Sequence, residues 1–207
     1  MRTLVIASQK GGVGKTTIAG HLGVMAESQG AGPVALIDTD PQGSLSSWWN
    51  ERQAEAPAFA SVDITNLPGH LKQLEKAGVK LAIIDTPPAV TDTIRRVLAV
   101  ADLVLIPTRP SPHDLRAVGS TVELVEAAGK RMVFVINGAA QRAKITGEAA
   151  IALSQHGTVA PVTLYQRTAY AASMIDGRTV QEIDAASRSA AEISELWLYG
   201  FAQIRKK

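Results

Sequence analysis

None of the 207 residues is cysteine, which excludes disulfides, thiolate-held iron–sulfur clusters and CxxC zinc sites and suits a reducing cytosol. Histidine is scarce. His21, His70, His113 and His156 are scattered without the HxxxH spacing that sets two imidazoles on one helix face, so they read as ordinary surface or core residues. Long apolar runs are missing too. The opening MRTLVIASQKGG runs from a short apolar strand straight into glycines, shorter than a secretory h-region of about 7–15 residues, and no stretch reaches the about 18 apolar residues of a membrane span. A soluble, cytoplasmic protein is expected. With no low-complexity linker and no repeat at a fixed period, a single domain over residues 1–207 is expected as well.

Charge of one sign is not in large excess: 21 basic against 19 acidic side chains leave +2, with a sequence pI near 9.0. The distribution says more than the total. Residues 1–129 carry 11 basic and 13 acidic groups, whereas residues 130–207 carry 10 basic and 6 acidic ones. The basic C-terminal third points weakly to an anionic partner.

Short apolar runs bounded by turns recur at Leu4–Ala7, Val34–Ile37, Leu81–Ile84, Leu103–Ile106, Val133–Ile136 and Val159–Leu164. Continuous Val/Ile/Leu runs are what a parallel sheet buried on both faces requires. Helical composition fills the gaps at Thr16–Gln29, Ser44–Arg52, Asn66–Ala77, Thr91–Val100, Asp114–Ala128 and Thr146–Gln155, with Gly30 and Gly129 as stops and a loop at Gly138–Lys144. The expected fold class is therefore α/β: a doubly wound, mostly parallel sheet flanked by helices.

The first strand ends in Gln9-Lys10-Gly11-Gly12-Val13-Gly14-Lys15-Thr16-Thr17. Glycines allow successive backbone N–H groups to converge on phosphate oxygens at a helix N-terminus, where the dipole adds positive potential. Lys15 then reaches the β/γ-phosphates and the Thr16 hydroxyl serves Mg²⁺, as in P-loop enzymes generally. The strict G-x-x-x-x-G-K-[ST] pattern wants glycine where this chain has Gln9, followed by a second lysine, Lys10. Two further segments, Ile37-Asp38-Thr39-Asp40-Pro41 and Ile84-Asp85-Thr86-Pro87, set carboxylates at the C-terminal ends of strands, the edge where α/β sheets bind ligands. Such an acid holds Mg²⁺, orients a water for attack, or simply caps a turn. Asn137, ending another strand, is either a base contact or a turn former.

KGGVGKTT at 10–17, DTDPQ at 38–42 and AIIDTPP at 82–88, in this order, resemble the deviant Walker A ATPases of the ParA/MinD group. The likeness continues through VLIPTRPSPHDL at 104–115 and SMIDGRTVQE at 173–182, similar to segments of small ParA-type partition ATPases. It implies a P-loop fold of the deviant Walker A type with ATP and Mg²⁺ as ligands. It also implies a homodimer with ATP sandwiched between subunits, across which Lys10 reaches the partner's nucleotide. Lys15 is then the in-chain phosphate lysine, Thr16 a Mg²⁺ ligand, Asp40 the acid that positions the attacking water and Asp85 the Walker B acid that supports Mg²⁺, with Asp38 nearby as a further metal-site candidate. Gly11, Gly12, Val13, Gly14, Lys15, Thr16 and Thr17 form the phosphate cradle. The chemistry implied is phosphoryl transfer to water.

With the phosphate loop starting at residue 10, the resemblance leaves no room for an N-terminal winged-helix domain, so non-specific DNA binding by the ATP dimer is expected, with nucleoid association. Hydrolysis would be stimulated by a ParB-type or other cargo adaptor. Arg142, Lys144, Arg167, Arg178, Arg188, Arg205, Lys206 and Lys207 are candidate phosphate contacts. The alternative is a MinD-like, membrane-associated ATPase. Ile193, Leu196, Trp197, Phe201 and Ile204 recur at helical spacing before a basic terminus, which fits an anionic membrane surface. The same spacing also fits a last helix laid on the sheet, and this is the preferred reading. Of Trp48 and Trp49, one is expected in the core and one partly exposed.

Overall fold

The structure, a computed structural model, describes residues 1–88 and 92–206. Its centre is a parallel sheet of β1 (Arg2–Ile6), β2 (Val34–Asp38), β3 (Ala58–Phe59), β4 (Leu81–Asp85), β5 (Leu103–Thr108), β6 (Met132–Ala139) and β7 (Thr158–Val159). The strands lie in the order β3-β2-β4-β1-β5-β6-β7, and β8 (Leu164–Tyr165) pairs with β6 off that path. The apolar runs are continuous because successive side chains face two different cores. Leu4, Ile6, Leu36, Ile83, Leu105 and Val133 enter one; Val5, Ile37, Ala82, Ile84, Val104 and Ile106 enter the other. At about 1.5–3 kcal/mol for each fully buried aliphatic side chain, this two-faced burial is the main favourable term holding the sheet.

Helices α1 (Lys15–Ser28), α2 (Ser44–Asn50), α7 (Thr168–Ser173), α8 (Val180–Ile183) and α9 (Arg188–Arg205) cover the first face. Helices α3 (Leu67–Lys76), α4 (Asp92–Ala99), α5 (Pro112–Ala127) and α6 (Lys144–Ser154) cover the second. The chain leaves β1 over one face toward β2 and leaves β5 over the other toward β6. Adjacent strands diverging in this way open a crevice at their carboxyl ends.

Helix α9 settles the question of the amphipathic C-terminal segment. Ile193, Leu196, Trp197 and Ile204 are buried in the first core and Phe201 packs against it, so the apolar face lies on the sheet layer. No helix among the described residues is long and apolar enough to cross a membrane. Trp48 is buried and Trp49 half-buried. Their indole N–H groups donate to the carbonyls of Arg178 (3.1 Å) and Pro57 (2.8 Å).

The bounds around Asn137 and Val159–Leu164 differ from the sequence reading, and several helix ends differ by one or two residues. The run Val159–Leu164 is not one strand: β7 and β8 pair with separate stretches of β6, around Phe134 and Asn137. Pro161 between them has no N–H for a ladder, and a register shift between Asn137 and Ala139 offsets the second pairing. Strand β6 therefore continues through Asn137 and Gly138, which were expected at a strand end and in a loop. The helix read as Thr91–Val100 is described from Asp92; Thr91, like Lys207, lies outside the described residues.

Candidate active site

The loop after β1 enters α1 with Gly14 at the N-cap, at φ 92°, and with no acidic side chain in the first turn. The initial N–H groups of a helix have no intrahelical acceptor, so this end faces the crevice with uncancelled positive potential. Glycine is required at position 14 for a second reason: a Cβ there would stand 2.3 Å from Asn137 Nδ2. That amide donates to the Val13 carbonyl at 2.6 Å and so braces the loop from β6.

Lys15 is buried, and its ammonium donates to the Lys10 carbonyl across the loop (3.4 Å). Burial lowers its pKa, opposed by the charges of Asp85 and Asp40. Lys10 is exposed and has no ion pair with a described carboxylate. Gly11 and Gly12 are exposed, Val13 is buried and Thr17 is half-buried.

The strand-end acids divide into different roles. Asp85, only 1 % exposed, accepts from the Thr16 hydroxyl at 2.6 Å through Oδ2. Its other oxygen is buried without a partner. Burial pushes this carboxyl up to about 7; the Thr16 bond and Lys15 oppose the rise and Asp38 adds to it. Asp38 caps α2: Oδ2 accepts from the N–H groups of Leu45 and Ser46, and Oδ1 from that of Asp40, each at 3.0 Å. Asp40 faces the cavity with one oxygen holding Gln42 N–H (3.0 Å). Thr39 joins the acidic segments, since its N–H and hydroxyl both donate to the Asp85 carbonyl (3.0 and 2.6 Å).

A cavity of about 610 Å³ runs from Gly11, Gly12, Gly14, Lys15, Thr16, Thr17 and Asp40 past Asn137 to Leu164, Tyr165, Arg167, Tyr170 and Met174. One end is thus lined by helix-terminal N–H groups, a lysine and the Asp40 carboxylate. The other is aromatic and apolar apart from Gln166 and Arg167. Sequence reasoning missed this second wall and also Arg109, which lines the cavity from the end of β5. The available pointer was position: β8 follows β6 at the carboxyl edge of the sheet, where ligands sit.

Among the described residues no group of three His, Cys, Asp or Glu side chains forms a cation cage. Mg²⁺ instead typically takes one or two protein ligands and completes its shell with phosphate oxygens and water. The Thr16–Asp85 pair with its orphaned carboxylate oxygen fits that mode. Of the basic candidates, Arg167 pairs with Glu192 and Arg178 with Asp176, while Arg142, Lys144, Arg188, Arg205 and Lys206 are exposed. His21 is buried and neutral, driven by burial to about 4, with Nδ1 bonded to the Thr17 carbonyl at 2.7 Å.

A glycine loop opening a helix at the crevice of a parallel sheet, with a buried lysine and strand-end acids, defines a P-loop nucleotide-binding protein. The family profile of the CobQ/CobB/MinD/ParA nucleotide-binding domain matches residues 4–180, and the chain belongs to that family. It is 33% identical over 201 residues, 92% of this chain and 91% of the relative, to the maintenance of carboxysome distribution protein A of Halothiobacillus neapolitanus. It is 32% identical over 183 residues to the protein ParA of Rhizobium radiobacter, covering 83% of this chain and 82% of that one. Among solved structures, a Cyanothece McdA–ATP complex superposes with a TM-score of 0.75 at 20% identity, over 100% of this chain and 98% of the other.

Proposed function

We propose that this chain is a positioning ATPase. It binds Mg–ATP, pairs with a second copy across the nucleotide, holds DNA non-specifically as the ATP dimer, and hydrolyses ATP when a ParB-type or other cargo adaptor engages it. The observation that carries this reading is the site itself: one buried lysine, Lys15, faces the phosphate end of the cavity while a second, Lys10, stands exposed at the rim of the same loop. A phosphate lysine needs to line the ligand cavity, as Lys15 does. A lysine that serves a partner's nucleotide needs exposure. The similarity to a carboxysome-distribution protein and to a ParA protein supports cargo movement as the use of the cycle, with the dimer resident on the nucleoid.

In this reading the N–H groups of residues 11–17 and the Lys15 ammonium bind the β- and γ-phosphates and neutralise charge that builds in the transition state. Asp40, whose second oxygen is free of protein partners among the described residues, orients the attacking water. Thr16 and Asp85 hold Mg²⁺, which withdraws charge from the phosphate oxygens. Asp38 fixes the α2 entrance and so the angle at which Asp40 is presented. Lys10 from the second copy supplies the remaining positive charge, and nothing covalent is required of the protein.

Mass measurement by light scattering with ATP and with ADP tests the cycle. The parent and Asp40→Ala should both dimerise with ATP and stay monomeric with ADP, while only the parent turns ATP over. DNA retention should require ATP and fall steeply as salt rises. A monomer under ATP, or DNA binding indifferent to nucleotide, would refute the proposal.

A further inference from the structure

The aromatic end of the cavity is built from weak pieces. Strand β8 has two residues and helix α7 has six, too few ladder or helix bonds to hold a rigid wall unaided. Three residues of that wall, Tyr165, Arg167 and Tyr170, converge on one carboxylate outside it. Glu192, 9 % exposed on α9, accepts from Tyr165 N–H at 3.1 Å and from the Tyr170 hydroxyl at 2.9 Å through Oε2. Its Oε1 accepts from Arg167 Nε at 3.0 Å and Nη2 at 2.5 Å. Both oxygens are therefore committed to the wall. Helix α9 is itself firmly seated, with the neighbouring Ile193 and Leu196 fully buried.

A nucleotide whose phosphates occupy the loop end of this cavity must lay its ribose and base toward Tyr165, Tyr170 and Met174. We infer that Glu192 is a positioning residue for the nucleoside half of the ligand: it fixes the wall through a charge-assisted fork to Arg167 and single bonds to Tyr165 and Tyr170, without touching the ligand. This rests on the ATP reading above. It also assigns Arg167 to the nucleotide wall rather than to DNA. Charge-assisted forks are stronger and geometrically stricter than neutral bonds, and a wall braced at three of its residues by one buried carboxylate is loosened when that charge is removed.

Calorimetric titration of the full chain with Mg–ATP, and separately with Mg–tripolyphosphate, tests this on the parent, Glu192→Gln and Arg167→Met. Tripolyphosphate has the phosphates and no nucleoside. We expect ATP affinity to fall tenfold or more in both variants, with tripolyphosphate affinity within twofold of the parent. A smaller loss for ATP, or an equal loss for both ligands, overturns the inference. If Glu192→Gln does not fold, as judged by thermal melting, Arg167→Met carries the test from the partly exposed end of the pair. A parent that binds no ATP would sink the nucleotide reading as well, whereas a parent that binds it beside unaffected variants sinks only this inference.

Discussion

Asp85→Asn should make the nucleotide-free protein more stable at alkaline pH, with a pH dependence that identifies the cause. Asp85 is buried, one of its oxygens has no partner, and its pKa is raised from 3.8 to about 7. For an acid with a raised folded-state pKa, the penalty starts as pH rises above the unfolded value and is complete above the folded one. The parent therefore loses stability through this group between about pH 4 and pH 7, by about 4 kcal/mol in all. At pH 5 only the smaller part of the penalty is present. Asparagine removes the charge, but its amide N–H₂ replaces the orphaned oxygen at a cost of about 1–3 kcal/mol. The net gain at pH 8 is then about 1–3 kcal/mol, and at pH 5 it disappears. The amide cost is the same at both pH values, so the change in the parent-to-variant difference isolates the carboxylate. Urea unfolding followed by far-UV circular dichroism at pH 5 and pH 8, with EDTA and without nucleotide, measures it. An identical parent-to-variant difference at the two pH values would refute the reasoning. The same substitution should weaken Mg–ATP binding, so stability and ligand affinity move in opposite directions.

Gly14→Ala should lower ATP affinity more than tenfold in calorimetry and cost about 1–3 kcal/mol, because the new Cβ meets the Asn137 amide and the backbone sits at positive φ. Lys10→Ala should keep monomeric ATP binding near the parent and abolish the ATP dimer in light scattering; a dimer of normal mass would remove the trans role. Trp197→Ala, a large truncation in the core beneath α9, should cost about 3–5 kcal/mol in urea unfolding, and a loss under 1 kcal/mol would show that α9 is not held by its apolar face.

The sheet was legible because each central strand is apolar on both sides, and the phosphate loop because its glycines stand between a strand and a helix. The apolar spacing from Ile193 to Ile204 fitted a membrane surface and the sheet layer alike, and burial in the first core places it on the sheet layer. Other features depended on three-dimensional neighbours. Asp38 and Asp40 are chemically alike and two residues apart, and only the position of α2 makes one a cap and leaves the other facing the cavity. Strand β3 has two residues, too short for a periodic pattern. Arg167 and Arg178 looked like free cations until Glu192 and Asp176 were brought beside them. The burial of Arg52, with its side chain 2 % exposed, bonded to Glu182 and over the Trp48 ring, had no local pointer either.

Asp38 and Asp85 are register partners across β2 and β4, and both Thr39 bonds end on the Asp85 carbonyl. The arm that would grip the cation and the arm that would aim the water are thus mechanically one lever, pivoting on a single rung of the sheet. The end of β4 and Asp40 are joined by these Thr39 bonds with no intervening solvent. In the proposed cycle, an adaptor that shifted the end of β4 would move Asp40 through Thr39 without touching it.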